Sequence, residues 1–226
     1  MKLEFSLADD SSATVVADIQ SLIIAGWAGR DLDAIEHHIE ELAALGVPRP
    51  SAVPLYYRVT SNQLTQSSNV QALGTSSSGE VEVFVFTVDG TMYVSLASDH
   101  TDRKLEAYGV AESKQACVKP VATTAWRFDD VVEYWDELVI RSWIEENGDQ
   151  VLYQEGTLDS LRLPQDLIEG YTNQKTLPEG HGMICGTVGA IGGIRASNTF
   201  VMELHDPRNN RSLRHTYQVE TLPVVA

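Results

Sequence analysis

Two glutamates, Glu80 and Glu82, stand two residues apart in the segment GEVEVFVF. On a strand, that spacing turns both side chains to one face. The segments EVEVFVFTV and TMYVSLAS flank the dipeptide Asp89-Gly90, a strong hairpin signal. A tight turn there pairs position 80 with position 99, which are equally far from it along the two arms, and so sets Asp99 beside Glu80. Three carboxylates then converge on one end of the hairpin. Left alone they repel and raise one another's pKa. A hard divalent cation removes the repulsion: Mg²⁺, Mn²⁺ or Ca²⁺ prefers oxygen ligands and keeps positions open for a substrate. The competing reading is a solvated strand face with Val81, Val83 and Val85 turned to the core, and by pattern alone it is the commoner outcome.

A second constellation is EHHIEEL, in which two His-x-x-Glu pairs overlap: His37 with Glu40 and His38 with Glu41. Residues three apart share a helix face, so a glutamate can hold the imidazole that deprotonates water. The apolar stripe of this segment is Ile35, Ile39, Leu42, Ala43 and Leu45. At about 100° per residue, His38 falls at the edge of the stripe and His37 points away from it. His38 with Glu41 is therefore the better functional candidate, although two surface polar pairs explain the spacing as well. Neither pair fits H-E-x-x-H, so a zinc protease site is not indicated.

Other signals are weaker. Lys114, in SKQACVKP, reads by itself as a solvated lysine. Gly186-Thr187 and the glycines at 189, 192 and 193 can bring backbone donors near an anion, and turns or bulges explain them equally well. Their spacing is neither a dinucleotide fingerprint nor a P-loop, and no G-x-S-x-G is present. QEGT, from Gln154 to Thr157, carries no chemistry derivable from its residues.

The elements that must position these residues are mostly strands. Residues 3–7 alternate as a strand, and 14–25 read as one strand or two. After the turn GWAGRD, Asp31 or Asp33 caps a helix through DAIEHHIEELAAL that ends at Gly46, before Pro48. LYYRV is a short strand, and residues 65–79 read as a loop or irregular strand pair. Beyond the hairpin, DHTDRKLEAYGVAES is helix-competent, and residues 129–144 pass from a short helix into a strand. Asn147-Gly148 marks a turn before QVLYQEG, LPQDLIEGY is helical, and the tail from Gly182 is β-rich. The pattern predicts a β-dominated α+β chain with three or four short helices, not the regular alternation of a parallel α/β fold.

The chain has 226 residues, enough to bury a full core without metal staples or disulfides. With 43% apolar and 21% charged residues, it has the composition of a globular protein. Acids outnumber bases 32 to 16, and a formal charge of −16 repels phosphate backbones, so no nucleic-acid partner is expected. Cys117 and Cys185 form no C-x-x-C pair and read as reduced thiols. The start, MKLEFSLADDSS, is not a signal peptide, and no apolar run spans a membrane. The expected location is the cytoplasm.

At these residues the sequence resembles the fumarylacetoacetate hydrolase superfamily, in a short bacterial branch of it, from about residue 26 to 223. AIEHHIEEL resembles the family's lid helix, with His38 and Glu41 as its dyad. PLYYRVTSNQL is similar to a segment that usually carries Lys-Pro, here Arg58 and Val59. GEVEVFVF resembles the E-x-E metal strand, and SDHTDRKLE the block that supplies Asp99 as third ligand and Arg103 as a nearby cation. ESKQACVKPVA is similar to the block that places Lys114 in the active site, although the usual Phe is absent. QEGTLDSL and CGTVGAIGG resemble two downstream blocks, the second contributing Thr187 to substrate binding. Glu106 stands where the family has Gln, and the hairpin between Glu82 and Asp99 is shorter than is common there.

The resemblance implies one domain over residues 1–226 with a mixed β-roll and β-sandwich core. Residues 1–60 would form an N-terminal strand and lid-helix region packed on it, and the assembly would be a homodimer. It implies Glu80, Glu82 and Asp99 as ligands of Mg²⁺ or Mn²⁺, with Ca²⁺ an alternative. His38, Glu41 and Lys114 would be catalytic, and Arg58, Arg103 and Thr187 would bind the substrate. The implied activity is hydrolysis of a C–C bond in a small anionic 2-oxo acid, acylpyruvate-like or β-diketo, through a metal-stabilised enolate. A lyase on the same scaffold, decarboxylating an oxo-dicarboxylate or dehydrating a sugar acid, is the alternative. A non-catalytic protein that binds a small acid is the third reading.

Overall fold

Alternation in KLEFSL, the apolar run SLIIAG and the nearly unbroken apolar stretch VEVFVFTV frame the structure. It is a computed structural model that describes residues 1–8, 10–44 and 49–225, without the side chains of residues 10, 11, 38, 41, 42 and 44. Strand β1 (Lys2–Leu7) turns back into β2 (Asp10–Asp18), and β3 (Ser21–Gly26) follows. Helix α1 (Leu32–Ala44) leads to β4 (Leu55–Val59), β5 (Leu64–Thr65), β6 (Asn69–Leu73) and β7 (Ser77–Ser78). The hairpin of β8 (Val81–Val88) and β9 (Thr91–Ser98) runs into β10 (Thr101–Asp102), α2 (Arg103–Glu106) and α3 (Val110–Gln115). Then come β11 (Lys119–Pro120), β12 (Thr124–Arg127), β13 (Val139–Glu146) and β14 (Asp149–Thr157). Helix α4 (Pro164–Thr172) and strands β15 (His181–Ile184), β16 (Thr199–Asp206) and β17 (Arg211–Leu222) complete the order.

Eight strands form one sheet in the order β2-β1-β12-β9-β8-β15-β3-β4. The sheet curls, so strands from both of its edges share one interior. Phe5 of β1, Leu22 and Ile24 of β3, Val59 of β4 and Phe84 and Phe86 of β8 pack there together. Phe5 stacks on Phe86 with ring centroids 4.3 Å apart. The outer face packs on a five-stranded sheet, order β14-β13-β16-β17-β6. There Val81, Val83 and Val85 meet Ile140, Phe200, Met202 and Tyr217. Side chains alternate along a strand, so β8 sends its valines into one core and its phenylalanines into the other. Each such side chain contributes about 1.5–3 kcal/mol by leaving water. The result is the expected strand-dominated α+β architecture, a roll joined to a sandwich.

Local differences have physical causes. Residues 65–79 hold real strands: β6 pairs in parallel with β17, Asn69 opposite Gln218, and buries Val70 and Ala72. The helix-competent stretch after the hairpin is two short helices. Asp102 caps α2 by accepting from Lys104 N and Leu105 N, and Gly109 precedes α3. Asp31, not Asp33, caps α1, its Oδ1 accepting from Ala34 N at 2.9 Å. The stripe is oriented as expected at Ile39, which is 3% exposed. The expected end at Gly46 lies outside the described residues.

Candidate metal centre and substrate cavity

The hairpin register decides where the carboxylates go. Val81 pairs with Ser98 and Val88 with Thr91, closing on the turn at Asp89 and Gly90. One step beyond the ladder, Asp99 N donates to Glu80 O at 3.0 Å. Glu80, Glu82 and Asp99 therefore share the inner face of the curled sheet at one end of the roll. Each offers a carboxylate oxygen, and the three oxygens lie within 4.8 Å of one another. Glu82 and Asp99 are buried and Glu80 is partly so. The alternative of a solvated strand face does not hold, because Phe84 and Phe86 continue the same face into the interior.

Each carboxylate has different company. Asp99 sits between two ammonium groups: Lys114 Nζ pairs with Oδ2, and Lys119 Nζ with Oδ1 at 3.0 Å. Burial pushes the Asp99 carboxyl up, but Lys114 and Lys119 overcome it and hold it below the usual range. Burial likewise opposes the charge on Lys114, and Asp99 with Glu80 more than restores it. Lys119 is fully buried, donates also to His100 O at 2.5 Å, and is held below its ordinary value by burial. Glu80 pairs with Arg103 at 3.1 Å, and Arg103 reaches Glu106 at 3.0 Å and Ser78 Oγ at 2.7 Å. Burial still raises the Glu80 carboxyl against the pull of Arg103 and Lys114. Glu82 differs again. Its Oε2 accepts from Gly186 N at 2.5 Å, and no ion pair reaches it among the described residues. Burial first, then the charges of Asp99 and Glu80, push its carboxyl well above the usual range.

Those residues fit a divalent cation. The donor set is all oxygen, which suits Mg²⁺ or Ca²⁺ and not a thiolate- or imidazole-seeking ion. Glu82 is a buried carboxylate that makes no ion pair among the described residues. A carboxylate oxygen has two lone pairs, so the lysines on Asp99 leave it free to ligate. Four carboxylates (Glu80, Glu82, Asp99 and Glu106) meet three cations (Arg103, Lys114 and Lys119). The cluster is thus one positive charge short, and a divalent ion would reverse its sign to suit an anionic substrate.

The centre opens into a cavity of about 690 Å³, whose walls include Glu80, Glu82, Asp99, Arg103, Lys114 and Thr187. Six of the residues singled out in the sequence are thereby brought together. Arg58 is not among them. On β4, Tyr57 pairs with the inward Ile24 and lines the cavity, so Arg58 lies on the opposite face, its Nη1 donating to Tyr171 OH at 2.9 Å. That placement sets Arg58 apart from the described lining of the cavity to whose substrate the resemblance assigns it. The side chains of His38 and Glu41 lie outside the described residues. Their helix starts beside the cavity, since a Cβ at the wall residue Gly29 would meet Ile35 Cδ1 at 3.2 Å. The Thr187 hydroxyl donates to Val81 O at 2.7 Å and accepts from Gln154 Nε2 at 2.8 Å.

Two supporting residues escaped the sequence reading. Lys119 is one; its signal was a lone cation in the apolar run VKPVA, where a buried lysine needs an acid. Gln154 is the other. Its Oε1 accepts from Val81 N at 3.0 Å and Ser142 Oγ at 2.8 Å, and its Nε2 donates to Thr187 Oγ1 and to Val188 O at 2.7 Å. One buried amide thus ties the start of β8 to the loop that carries Gly186.

The strand-dominated fold, a curled sheet packed on a second sheet, has counterparts among solved structures. Solved structures with this fold include a hexagonal crystal form of 2-keto-3-deoxyarabinonate dehydratase (TM-score 0.65, 16% identity, 91% of this chain and 75% of that one covered). The 2-keto-3-deoxy-D-arabinonate dehydratase complexed with magnesium and 2,5-dioxopentanoate matches with a TM-score of 0.63 at 16% identity, over 92% and 75% of the two chains. The 4-oxalocrotonate decarboxylase from Pseudomonas putida G7, complexed with calcium and acetate, matches with a TM-score of 0.55 at 14% identity, over 88% and 76%. At these identities the likeness is one of fold. No curated protein matches the chain in sequence. The chain belongs to the family described as protein of unknown function DUF2848, whose model matches residues 25–217. No described helix is long and apolar enough to cross a membrane.

Proposed function

We propose that this chain is a divalent-metal-dependent enzyme that cleaves a C–C bond in a small 2-oxo acid of the acylpyruvate or β-diketo kind. The observation that carries the proposal is Glu82, a buried carboxylate with no ion pair among the described residues, beside Glu80 and Asp99 on the wall of a cavity. Glu80, Glu82 and Asp99 would hold Mg²⁺, Mn²⁺ or Ca²⁺. When bound, such an ion supplies Lewis acidity toward an oxygen on which charge develops. Lys114, an ammonium on the cavity wall, adds a second positive charge toward that oxygen, and Arg103 orients the substrate carboxylate. Thr187 holds the loop backbone against the substrate. His38, oriented by Glu41, takes a proton from water, whose oxygen attacks the C4 carbonyl. The bond between C3 and C4 breaks, C3 is protonated, and the products are pyruvate and a carboxylic acid.

A lyase is the second reading, and the specific support for it is that the solved structures of like fold include a dehydratase and a decarboxylase. Only the hydrolase needs activated water. Cytoplasmic location and a homodimeric state belong to the same proposal and rest on the family resemblance.

The test is a calorimetric titration of oxalate, a planar enolate mimic, into metal-stripped protein with and without Mg²⁺ or Mn²⁺. Binding that requires metal supports the proposal, and no binding under either condition overturns it. Glu82→Ala should abolish metal binding and turnover together. His38→Ala should remove hydrolysis and keep metal binding; if His37→Ala does so instead, the dyad is misassigned.

A further inference from the structure

Apart from Glu82, the charged walls of the cavity are joined by ion pairs around the metal centre, and its other walls include Trp27, Ala28, Val110, Val188 and Ile194. Among the described lining residues the only cations are Arg103 and Lys114, and both stand at the metal centre, where the proposed function uses them for the head group. Arg103 is held by Glu80, Glu106 and Ser78, and Lys114 by Asp99. Two neutral polar groups of the lining are also engaged. The Thr187 hydroxyl is bonded to Val81 O and Gln154, and the Tyr57 phenol is hydrogen-bonded by the Trp27 side chain. Among the described lining residues, a second carboxylate away from that centre would meet no counter-charge. A chain of hydroxyls would lose water and find few partners, at a cost in free energy for each.

The mouth carries a second, independent sign. Ile194 is 54% exposed although it lines the cavity, and Ile191 beside it is 49% exposed. The loop that presents them is clamped. Arg195 Nε pairs with Glu146 at 2.5 Å, Arg195 Nη1 donates to Ile191 O and Gly193 O, and Arg195 N donates to Tyr153 OH at 3.1 Å. Gly192 and Gly193 supply the left-handed backbone that the turn needs (φ +77° and +87°). A branched apolar side chain held rigidly at a wet mouth gains by covering apolar ligand surface. The size agrees: a three-carbon acid leaves most of about 690 Å³ empty.

We infer that the substrate carries an uncharged apolar tail, alkyl or aryl, beyond its 2-oxo acid head, lying along Trp27, Val110 and Val188 and covered at the mouth by Ile194. The inference rests on the proposed function for the head group alone. It sets this site apart from one that takes an oxo-dicarboxylate or a sugar acid.

The experiment is calorimetry on the Mg²⁺-loaded protein, with oxalate as the head-group control. The tail probes are pyruvate, 2-oxobutanoate, 2-oxohexanoate, 4-phenyl-2-oxobutanoate and 2-oxoadipate. Each methylene added to the alkyl series should tighten binding roughly fourfold, so 2-oxohexanoate should bind roughly 50-fold tighter than pyruvate. The phenyl acid should bind at least as well as 2-oxohexanoate. The 2-oxoadipate ion, of equal chain length, should bind at least tenfold more weakly. Ile194→Lys, a change at an exposed position, should reverse the order of 2-oxohexanoate and 2-oxoadipate. If oxalate binds but the alkyl series is flat, or 2-oxoadipate binds best in the wild type, the apolar tail is refuted and the metal-centred reading stands. If oxalate itself does not bind, the head-group reading fails and the tail inference falls with it.

Discussion

Replacing Glu82 with Gln should make the metal-free protein more stable. The amide is nearly isosteric and its carbonyl can still accept from Gly186 N, the bond Glu82 now makes at 2.5 Å. What disappears is an acid whose ionisation is opposed first by burial and then by Glu80 and Asp99, which offer oxygens within 4.8 Å. At that separation and an effective dielectric of 20, each like-charge pair costs about 3 kcal/mol. Lys114, the cation acting on Glu82, offsets roughly one of the two pairs. A net release of about 3 kcal/mol remains, and in a chain of this size it raises Tm by about 6–12 °C. The assay is differential scanning calorimetry in EDTA at pH 7, repeated with excess Mg²⁺. Metal at 100 times its Kd should stabilise the wild type by about 2.7 kcal/mol, and the variant should gain almost nothing. The two proteins should therefore differ strongly without metal and converge with it. A variant whose Tm in EDTA is equal to or below that of the wild type refutes the electrostatic reasoning. A variant that keeps the full metal-induced rise refutes Glu82 as a ligand.

Three further outcomes are expected. Gly186→Ala puts a Cβ 2.7 Å from Ala28 Cβ at a φ of +95°; it should cost about 2 kcal/mol in a urea titration and weaken Mg²⁺ binding at least tenfold by calorimetry, because the N–H that holds Glu82 must move. Gln154→Leu leaves the Val81 N–H and its other partners unanswered and should destabilise by about 2–4 kcal/mol; an unchanged urea midpoint would contradict the tie described for it. Asp206 is raised by burial but pulled down to about 2 by Asn209, Arg211 and Tyr134. Because its folded pKa lies below the unfolded value of about 4, its contribution of about 2 kcal/mol is complete above pH 4 and fades as the pH falls toward 2. The stability gap between wild type and Asp206→Asn should follow that course, and a gap independent of pH would count against it.

Much of the carboxylate centre was legible because it depends on local counting. Asp89-Gly90 specifies a tight turn, and the turn specifies which residues face each other. The same strand also carried a signal that the alternation reading discounted: Phe84 and Phe86 follow Glu82 on its own face, as in a strand buried on both sides. What stayed hidden depends on partners distant in the chain. LYYRV has no apolar asymmetry to say that Tyr57 turns inward and Arg58 outward; that comes from pairing with β3. The segment of β6 reads equally as loop or irregular strand pair, because its partner, β17, lies at the other end of the chain. Lys119 was unreadable without knowing that Asp99 is buried against it, and Gln154 without knowing which loop returns beside β8.

The short hairpin turn makes the centre a matter of odd and even. Asp99 lies on the same side of the sheet as Glu80 and Glu82 because the ladder from Val81–Ser98 to Val88–Thr91 is unbroken. One residue inserted at the turn, if the ladder re-pairs without a bulge, would slide the second arm by one place and turn Asp99 to the valine side. Two inserted residues would lengthen the turn and restore the face. Changes in hairpin length would thus keep the centre in steps of two, or in single steps that a bulge absorbs. The walls of the cavity on α2, α3 and the glycine-rich loop after β15 are under no such rule and can change one residue at a time. The fold thereby separates what must stay in register from what is free to diversify.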